Sequence, residues 1–249
     1  MLLAIALHNH RPLGQLLVTR ALRGFERSSA QVNTVSRVAA STLHSLSPHA
    51  PCTPPLYADT DALVKAAGPG RWNDPDMLLI GANVTTKPAQ RGQPPLSSQT
   101  PCLSSAEERT QMAIWAIIAA PLIMGNDARS IKPSSAAILL NRHAIEIDQD
   151  ELGRQGGRLD EHSASTPQQV WWRPLSGGDV AVGLYNKDPE GVGAAKVAVR
   201  FADVGLAGKC VSVLEVWSGT VLNCTTAPTY TATVDHHDTL LLRLTPHAP

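Results

Sequence analysis

GPGRWNDPDMLLIG, residues 68–81, is the stretch from which the fold and the chemistry of this chain are read. Two acids, Asp74 and Asp76, stand two positions apart, directly before an apolar run closed by Gly81. On an extended backbone, side chains at i and i+2 point the same way. Both carboxylates would then face one cavity, with Trp72 beside them. Carboxylates accept hydrogen bonds from hydroxyls and an aromatic face covers C–H surface, a combination that suits a sugar. The same letters also read as a turn, because Asp-Pro starts turns and DPD can be a solvated loop. MLLIG (77–81) has the length and composition of a short buried strand.

The pattern continues outward. Ser104 or Ser105 with Glu107 or Glu108 forms a capping box ahead of a long apolar helix, AEERTQMAIWAIIAA, ended by Pro121. Its apolar residues wrap around it, which predicts burial on more than one side. PLIMG (121–125) reads as a second buried strand. Pro133 opens a helix over 133–143, after which AIEID returns to the core. Strand, helix, strand, helix is the α/β pattern with parallel strands. From about Gly156 the chain changes to short alternating runs: VWW (170–172), DVAVGLY (179–185), AKVAVRF (195–201), CVSVLEVW (210–217), YTATV (230–234) and TLLLRL (239–244). Val180, Val182 and Leu184 share one face, and Leu240, Leu242 and Leu244 another. This spacing predicts an antiparallel β-sandwich. The organisation is therefore α/β plus all-β, over 1–155 and 156–249. Residues 1–60 are weakly periodic, and the polar, Pro-rich segment 83–103 reads as an inserted loop.

Composition narrows the function classes. Among 249 residues, Lys+Arg and Asp+Glu balance at 21 each. A neutral chain lacks the basic footprint of a nucleic-acid binder. A hydrophobic fraction of 43% is too high for a disordered chain. The longest apolar stretch, Met112 to Gly125, is broken by Pro121 and falls short of the roughly 20 residues of a membrane span. The start, MLLAIALHNHRP, lacks the basic n-region and cleavage site of a signal peptide. Cys52, Cys102, Cys210 and Cys224 include no CxxC pair, so zinc spacing is absent. His8 with His10 and His236 with His237 raise a metal reading, but the second pair reads as a solvated hairpin tip. Trp171, Trp172 and Trp217 read as core packing ahead of a sugar-binding stripe. Asn83 and Asn223 head glycosylation sequons. Cys210 and Cys224 flank a strand and turn and make a disulfide candidate for a secretory protein.

GPGRWNDPDMLLIG, AEERTQMAIWAIIAAPLIMGNDARSI and AIEIDQDELGRQG, in that order, resemble glycoside hydrolase family 27, the α-galactosidases and α-N-acetylgalactosaminidases. RPLSGGDVAVGLYNK and YTATVDHHDTLLLRLTP resemble the family's C-terminal sandwich. The resemblance implies a (β/α)8 barrel followed by an antiparallel β-sandwich. Residues 72–81 would carry the seventh barrel strand, 105–120 the seventh helix, 121–127 the eighth strand and 133–143 the eighth helix. Asp76 and Met77 map onto positions lining the sugar pocket, with Asp74 and Trp72 in support. The implied substrates are terminal α-linked galactose or N-acetylgalactosamine, with no cofactor and no metal. Family members are lysosomal or secreted and often homodimers.

Retaining hydrolysis needs two carboxyl groups about 5 Å apart, one as nucleophile and one as acid and base. The family carries the nucleophile in a Lys-x-Asp-x-Cys motif on the fourth strand and the acid/base on the sixth. Neither motif is recognisable here, so no catalytic residue is assigned. Asp59 and Asp61 lack that context, and the only acid before them is Glu26. AIALHNHRP (4–12) resembles the approach to the fifth strand, so an incomplete barrel is expected. Residues 13–60 match neither the fifth nor the sixth strand. The alternative to hydrolysis is a non-catalytic carbohydrate-binding chain or pseudoenzyme.

Overall fold

The computed structural model describes residues 61–85, 99–159, 167–188 and 193–247. The expectations for residues 1–60, including His8, His10 and Cys52, and for the centre of the inserted loop lie outside the described residues. Among the described residues, no helix is long and apolar enough to cross a membrane.

The α/β part contains helix α1 (Asp61–Ala66), a hairpin of β1 (Asn83–Thr85) and β2 (Gln99–Pro101), and helices α2 (Ser105–Ile118), α3 (Pro133–Leu139) and α4 (Arg142–Asp148). MLLIG and PLIMG do not form full strands. They meet in one parallel bridge, Leu78 with Met124, in which Leu78 N–H donates to Ile123 O at 2.7 Å and Gly125 N–H donates to Leu78 O at 2.8 Å. The relation is parallel, as expected, but only one residue long. The inserted segment leaves and returns through a paired stem, with Asn83 opposite Pro101, so it interrupts neither neighbour.

Helix α2 begins with the capping box at Ser104 and Glu107. Glu107 N–H donates to Ser104 Oγ, and Ser104 N–H donates to Glu107 Oε2 at 2.7 Å. It ends at Ile118, three residues before Pro121, through Ala119 in the left-handed region at φ 55°. The expected helix over 133–143 is broken after Leu139. Asn141 accepts from the His143 and Ala144 amides and starts α4, so AIEID is helical.

The second part is a six-stranded antiparallel sheet in the order β3 (Gly157–Arg158), β4 (Gln168–Pro174), β5 (Val180–Asn186), β10 (Thr239–His247), β7 (Cys210–Glu215), β8 (Val221–Thr225). A two-stranded sheet of β6 (Ala195–Arg200) and β9 (Thr229–Val234) packs on it. Leu240, Leu242 and Leu244 stand opposite Leu184, Val182 and Val180. Directly opposed residues of an antiparallel pair share a face, so the two rows form one face and not two. That face packs on β6 and β9 through Val197, Val199 and Val234. β8 carries no alternation, and all but its last residue are exposed. The Cys210–Cys224 disulfide fastens it to β7.

β5 is buried along its whole length because both faces of the sheet are covered. Its odd-numbered residues Ala181, Gly183 and Tyr185 face α2. A Cβ at Gly183 would come within 2.9 Å of Ile117 Cδ1, so the missing side chain sets how closely helix and sheet approach. Gly156 is tighter: a Cβ there would press on the Trp172 carbonyl and reach 2.7 Å from Arg173 Cβ. Arg173 is fully buried. Its Nη1 donates to Ala116 O at 2.7 Å, Ile147 O at 2.8 Å and Asp148 O at 3.1 Å. One cation thus meets the C-terminal carbonyls of α2 and α4, where the helix dipoles favour positive charge.

The turn at 235–238 departs from the solvated tip expected of it. Asp238 binds Arg109 of α2 at 2.5–3.2 Å, Thr110 Oγ1 donates to His237 O at 2.7 Å, and His237 lies 3.4 Å from buried Glu107. Burial raises the Glu107 carboxyl, but the adjacent His237 ring and the hydrogen bond from the Ser104 N–H outweigh it and leave the group below its ordinary 4.5.

Two outcomes follow from this packing. Gly156→Ala is expected to lose about 3 kcal/mol or more in chemical denaturation, because a backbone carbonyl blocks the methyl group. Gly68→Ala, with nothing within 4 Å of the new atom, serves as the near-neutral control. Ionised Glu107 stabilises the fold above pH 4.5, and that contribution disappears as pH falls through its lower native value. The stability difference between wild type and Glu107→Gln should shrink as pH falls below 4.5. A difference unchanged down to pH 3 would remove this assignment.

Candidate functional site

The DPD segment is a turn. Asp76 N–H donates to Asp74 Oδ1 at 2.9 Å, the i to i+2 bond of an Asx-turn, and Met77 N–H donates to Asp76 Oδ1 at 2.7 Å. Asp76 sits at φ 81°, where few non-glycine residues go and Asp is among the tolerated ones. The expected shared direction of Asp74 and Asp76 therefore does not hold. Asp74 points back into the turn, while Asp76 and Met77 are exposed, Met77 at 40%. Burial pushes the Asp74 carboxyl up, the Asp76 amide pulls it down, and the Asp76 charge adds a further upward push.

Neighbouring elements fix this turn from three sides. Met77 lies over Gly125, where an added Cβ would come within 3.1 Å of Met77 Cβ. Asn73 Nδ2 donates to Leu63 O and to Gln155 Oε1, each at 2.8 Å. Trp72 is half-buried beside Gly153 and the Pro69 ring. From below, Trp115 Nε1 of α2 donates to Asp76 O at 3.2 Å. Gln111 accepts from Leu79 N–H at 2.8 Å, and Glu108 accepts from Gly81 N–H at 2.8 Å and from Ser135 Oγ at 2.9 Å. Asn126 Nδ2 donates to Ile80 O at 2.5 Å.

The structure thus brings Trp72, Asp74, Asp76 and Met77 together. The other sequence candidates lie apart. Asn83 is exposed in β1, and Asn223 is exposed in β8 beside the Cys210–Cys224 disulfide. Trp171 is buried between sheet and α2, Trp172 packs on the sandwich core, and Trp217 donates its indole N–H to Thr239 O at 2.8 Å. None of the three forms a surface stripe. Sequence reasoning missed Glu108, Gln111 and Trp115. Their spacing of three and four was a signal for one helical face, but polar residues within an apolar helix gave no partner.

Two family models cover most of the chain. One, described as alpha galactosidase A, matches residues 55–150; the other, described as alpha galactosidase C-terminal beta sandwich domain, matches residues 165–244. The chain belongs to glycoside hydrolase family 27, the α-galactosidase family. Within it, alpha-galactosidase A of Homo sapiens is 40% identical over 150 residues, 60% of this chain and 30% of that protein. Alpha-galactosidase 3 of Arabidopsis thaliana is 35% identical over 181 residues, 72% of this chain and 37% of that protein. Alpha-N-acetylgalactosaminidase of Gallus gallus is 33% identical over 195 residues, 78% and 43% of the two. The chain therefore spans about a third to two fifths of the length of these relatives. The crystal structure of alpha-galactosidase I from Mortierella vinacea superposes with a TM-score of 0.59 at 25% identity, covering 74% of this chain and 42% of that one. The fold is that of the family: part of a (β/α)8 barrel, then an antiparallel sandwich.

The turn itself can be tested. Asp74→Ala removes the acceptor for the Asp76 amide and is expected to cost about 1 kcal/mol. Asp74→Asn keeps an acceptor. The native Asp74 carboxyl is raised, so its ionisation opposes folding as pH rises through that value. Asp74→Asn should therefore be neutral or stabilising at pH 7 by thermal unfolding, and a loss equal to that of Asp74→Ala would contradict the turn.

Proposed function

We propose that the protein is a retaining glycosidase that removes terminal α-linked galactose or N-acetylgalactosamine, and that Asp76 and Met77 hold the sugar. The observation that carries this reading is the Asp76 turn. It places a carboxylate and an apolar side chain next to each other, both exposed, on a segment otherwise buried and hydrogen-bonded. Asp76 Oδ1 is taken by the Met77 amide, while Oδ2 has no hydrogen bond among the described residues and is available to a sugar hydroxyl. Met77 offers its thioether to the C–H face of the ring. Trp72 and Asp74 act in support.

Asp74 Oδ1 accepts from the Asp76 amide, which gives that carboxylate a structural part in the turn. The nucleophile and the acid/base are not assigned, because the family motifs that would carry them are not recognisable in this sequence. Relatives named for galactose and for N-acetylgalactosamine match at comparable identity, so both sugars remain within the proposal. A lysosomal or secreted location is supported by the Cys210–Cys224 disulfide and by two exposed sequon asparagines, Asn83 and Asn223. Association with a second copy belongs to the same proposal.

The 249-residue chain, titrated with galactose and N-acetylgalactosamine and assayed on their aryl α-glycosides, should bind one or both sugars without turnover. Asp76→Asn should weaken binding about tenfold, or ~1.4 kcal/mol. Turnover abolished by Asp76→Asn would place a complete hydrolytic site in this chain. Failure to bind either sugar would overturn the reading of Asp76 and Met77.

A further inference from the structure

We infer that Gln111 is a positioning residue for the Asp76–Met77 turn, acting with Trp115 and Glu108 as a polar stripe along α2; this rests on the sugar-holding reading of that turn. The three residues are four and three apart and lie on one face of the helix. That face runs under the backbone of residues 76–81. Gln111 is 1% exposed, Trp115 1% and Glu108 5%, so this polar stripe has little contact with water.

Hydrogen-bond direction makes Gln111 the central member. Along an extended segment, successive residues turn their N–H and C=O to opposite sides. Leu78 turns both groups toward Ile123 and Gly125. Met77 O and Leu79 N–H turn the other way. Those are the two groups that a single residue of a parallel neighbour would bond, accepting from one and donating to the other. The Gln111 side-chain amide takes this part: Oε1 accepts from Leu79 N–H at 2.8 Å, and Nε2 donates to Met77 O at 3.5 Å. A primary amide carries the same donor and acceptor as a peptide unit. Gln111 therefore pairs with the segment as a one-residue strand, on the side opposite the Leu78–Met124 bridge. Trp115 then holds Asp76 O, on the residue at positive φ, and Glu108 holds Gly81 N–H at the far end.

The consequence concerns the orientation of the Asp76–Met77 peptide. Asp76 Oδ1 is tied to the Met77 amide, so any rotation of that peptide moves the carboxylate as well. Trp115 holds the carbonyl of that peptide, Asp76 O, and Gln111 holds the carbonyl of the next one, Met77 O. Loss of their bonds leaves the Asp76–Met77 peptide with only the Asp74 and Asp76 carboxylates to orient it, between the anchors at Asn73 and Leu78, and the sugar-facing groups lose their fixed orientation.

Hydrogen exchange and galactose titration on the full chain test this together. Gln111→Met has nearly the volume of Gln111 and removes both bonds. Exchange at the Leu79 amide should become about ten- to a hundredfold faster, with amides of β10 unchanged. Galactose affinity should fall about tenfold. Trp115→Phe is the second variant, and it should loosen the turn and weaken galactose binding in the same direction. Unchanged Leu79 exchange in folded Gln111→Met would overturn the proposal. So would faster exchange with galactose affinity intact, which would leave Gln111 a purely structural role. If the wild-type chain binds no galactose, the sugar reading of Asp76 falls, while exchange at Leu79 still decides whether Gln111 sets the turn.

Discussion

Helix α2 has almost no face left for water, and the rest of the structure is arranged around that constraint. Glu107, Glu108, Thr110 and Gln111 are each 5% exposed or less. A buried polar group without a partner costs about 1–3 kcal/mol, so each of these residues restricts what can pack beside it. Glu108 and Gln111, with Trp115, satisfy the backbone of 79–81 and the Asp76–Met77 carbonyls. Glu107 and Thr110, with Arg109, hold the turn between β9 and β10. The helix is thus shared by two partners that are far apart in sequence. Moving it to suit one would strip hydrogen bonds from the other.

The sheet answers the same constraint from the other side. It is covered on both faces, so its central strand carries two different patterns at once. Val180, Val182 and Leu184 fill the sandwich, while Ala181 and Gly183 keep the opposite face low enough for Ile117. Arg173 brings a charge into this interface, and such burial is costly unless the charge is well hydrogen-bonded. Here the acceptors are carbonyls in the last turns of α2 and α4, where the regular helix bonds give way to long ones such as Ala119 N–H to Ala116 O at 3.4 Å. The cation and the helix ends therefore compensate each other, and β4, α2 and α4 are locked together at one point.

What was legible in the sequence follows from this. Strands with one alternating face, the Ser104 capping box and the many-sided burial of α2 depend on local pattern, and they were readable. MLLIG and PLIMG have the short apolar runs of strands, yet each is tied to the other by a single bridge. On its second side Leu79 bonds a helix side chain, which no period in the sequence encodes. β8 was missed because both of its faces are exposed and it has no alternation. The helix break near Leu140 depends on Asn141 preferring to cap the following turn, a competition between side chain and backbone that periodicity does not register. The docking of Asp238 on Arg109 spans more than a hundred residues, so no local signal carried it.

The same limit explains the DPD segment. Spacing of two suggested a pair of carboxylates facing one cavity, and the turn chemistry of the same letters suggested the opposite. The turn prevails because Asp74 can satisfy the Asp76 amide where no strand neighbour does. Glycine would adopt φ 81° with less strain, about 1–3 kcal/mol by the usual cost of such backbone outliers. Aspartate offsets part of that strain through its own bond to the Met77 amide, and the indole of Trp115 fixes the carbonyl that the strain would otherwise release. A strained residue survives only where its surroundings over-determine it. Here the over-determination is also what leaves one carboxylate oxygen of exposed Asp76 without a hydrogen bond among the described residues. The loss of the expected carboxylate pair and the proposed role of Asp76 toward a sugar hydroxyl therefore have a single physical cause.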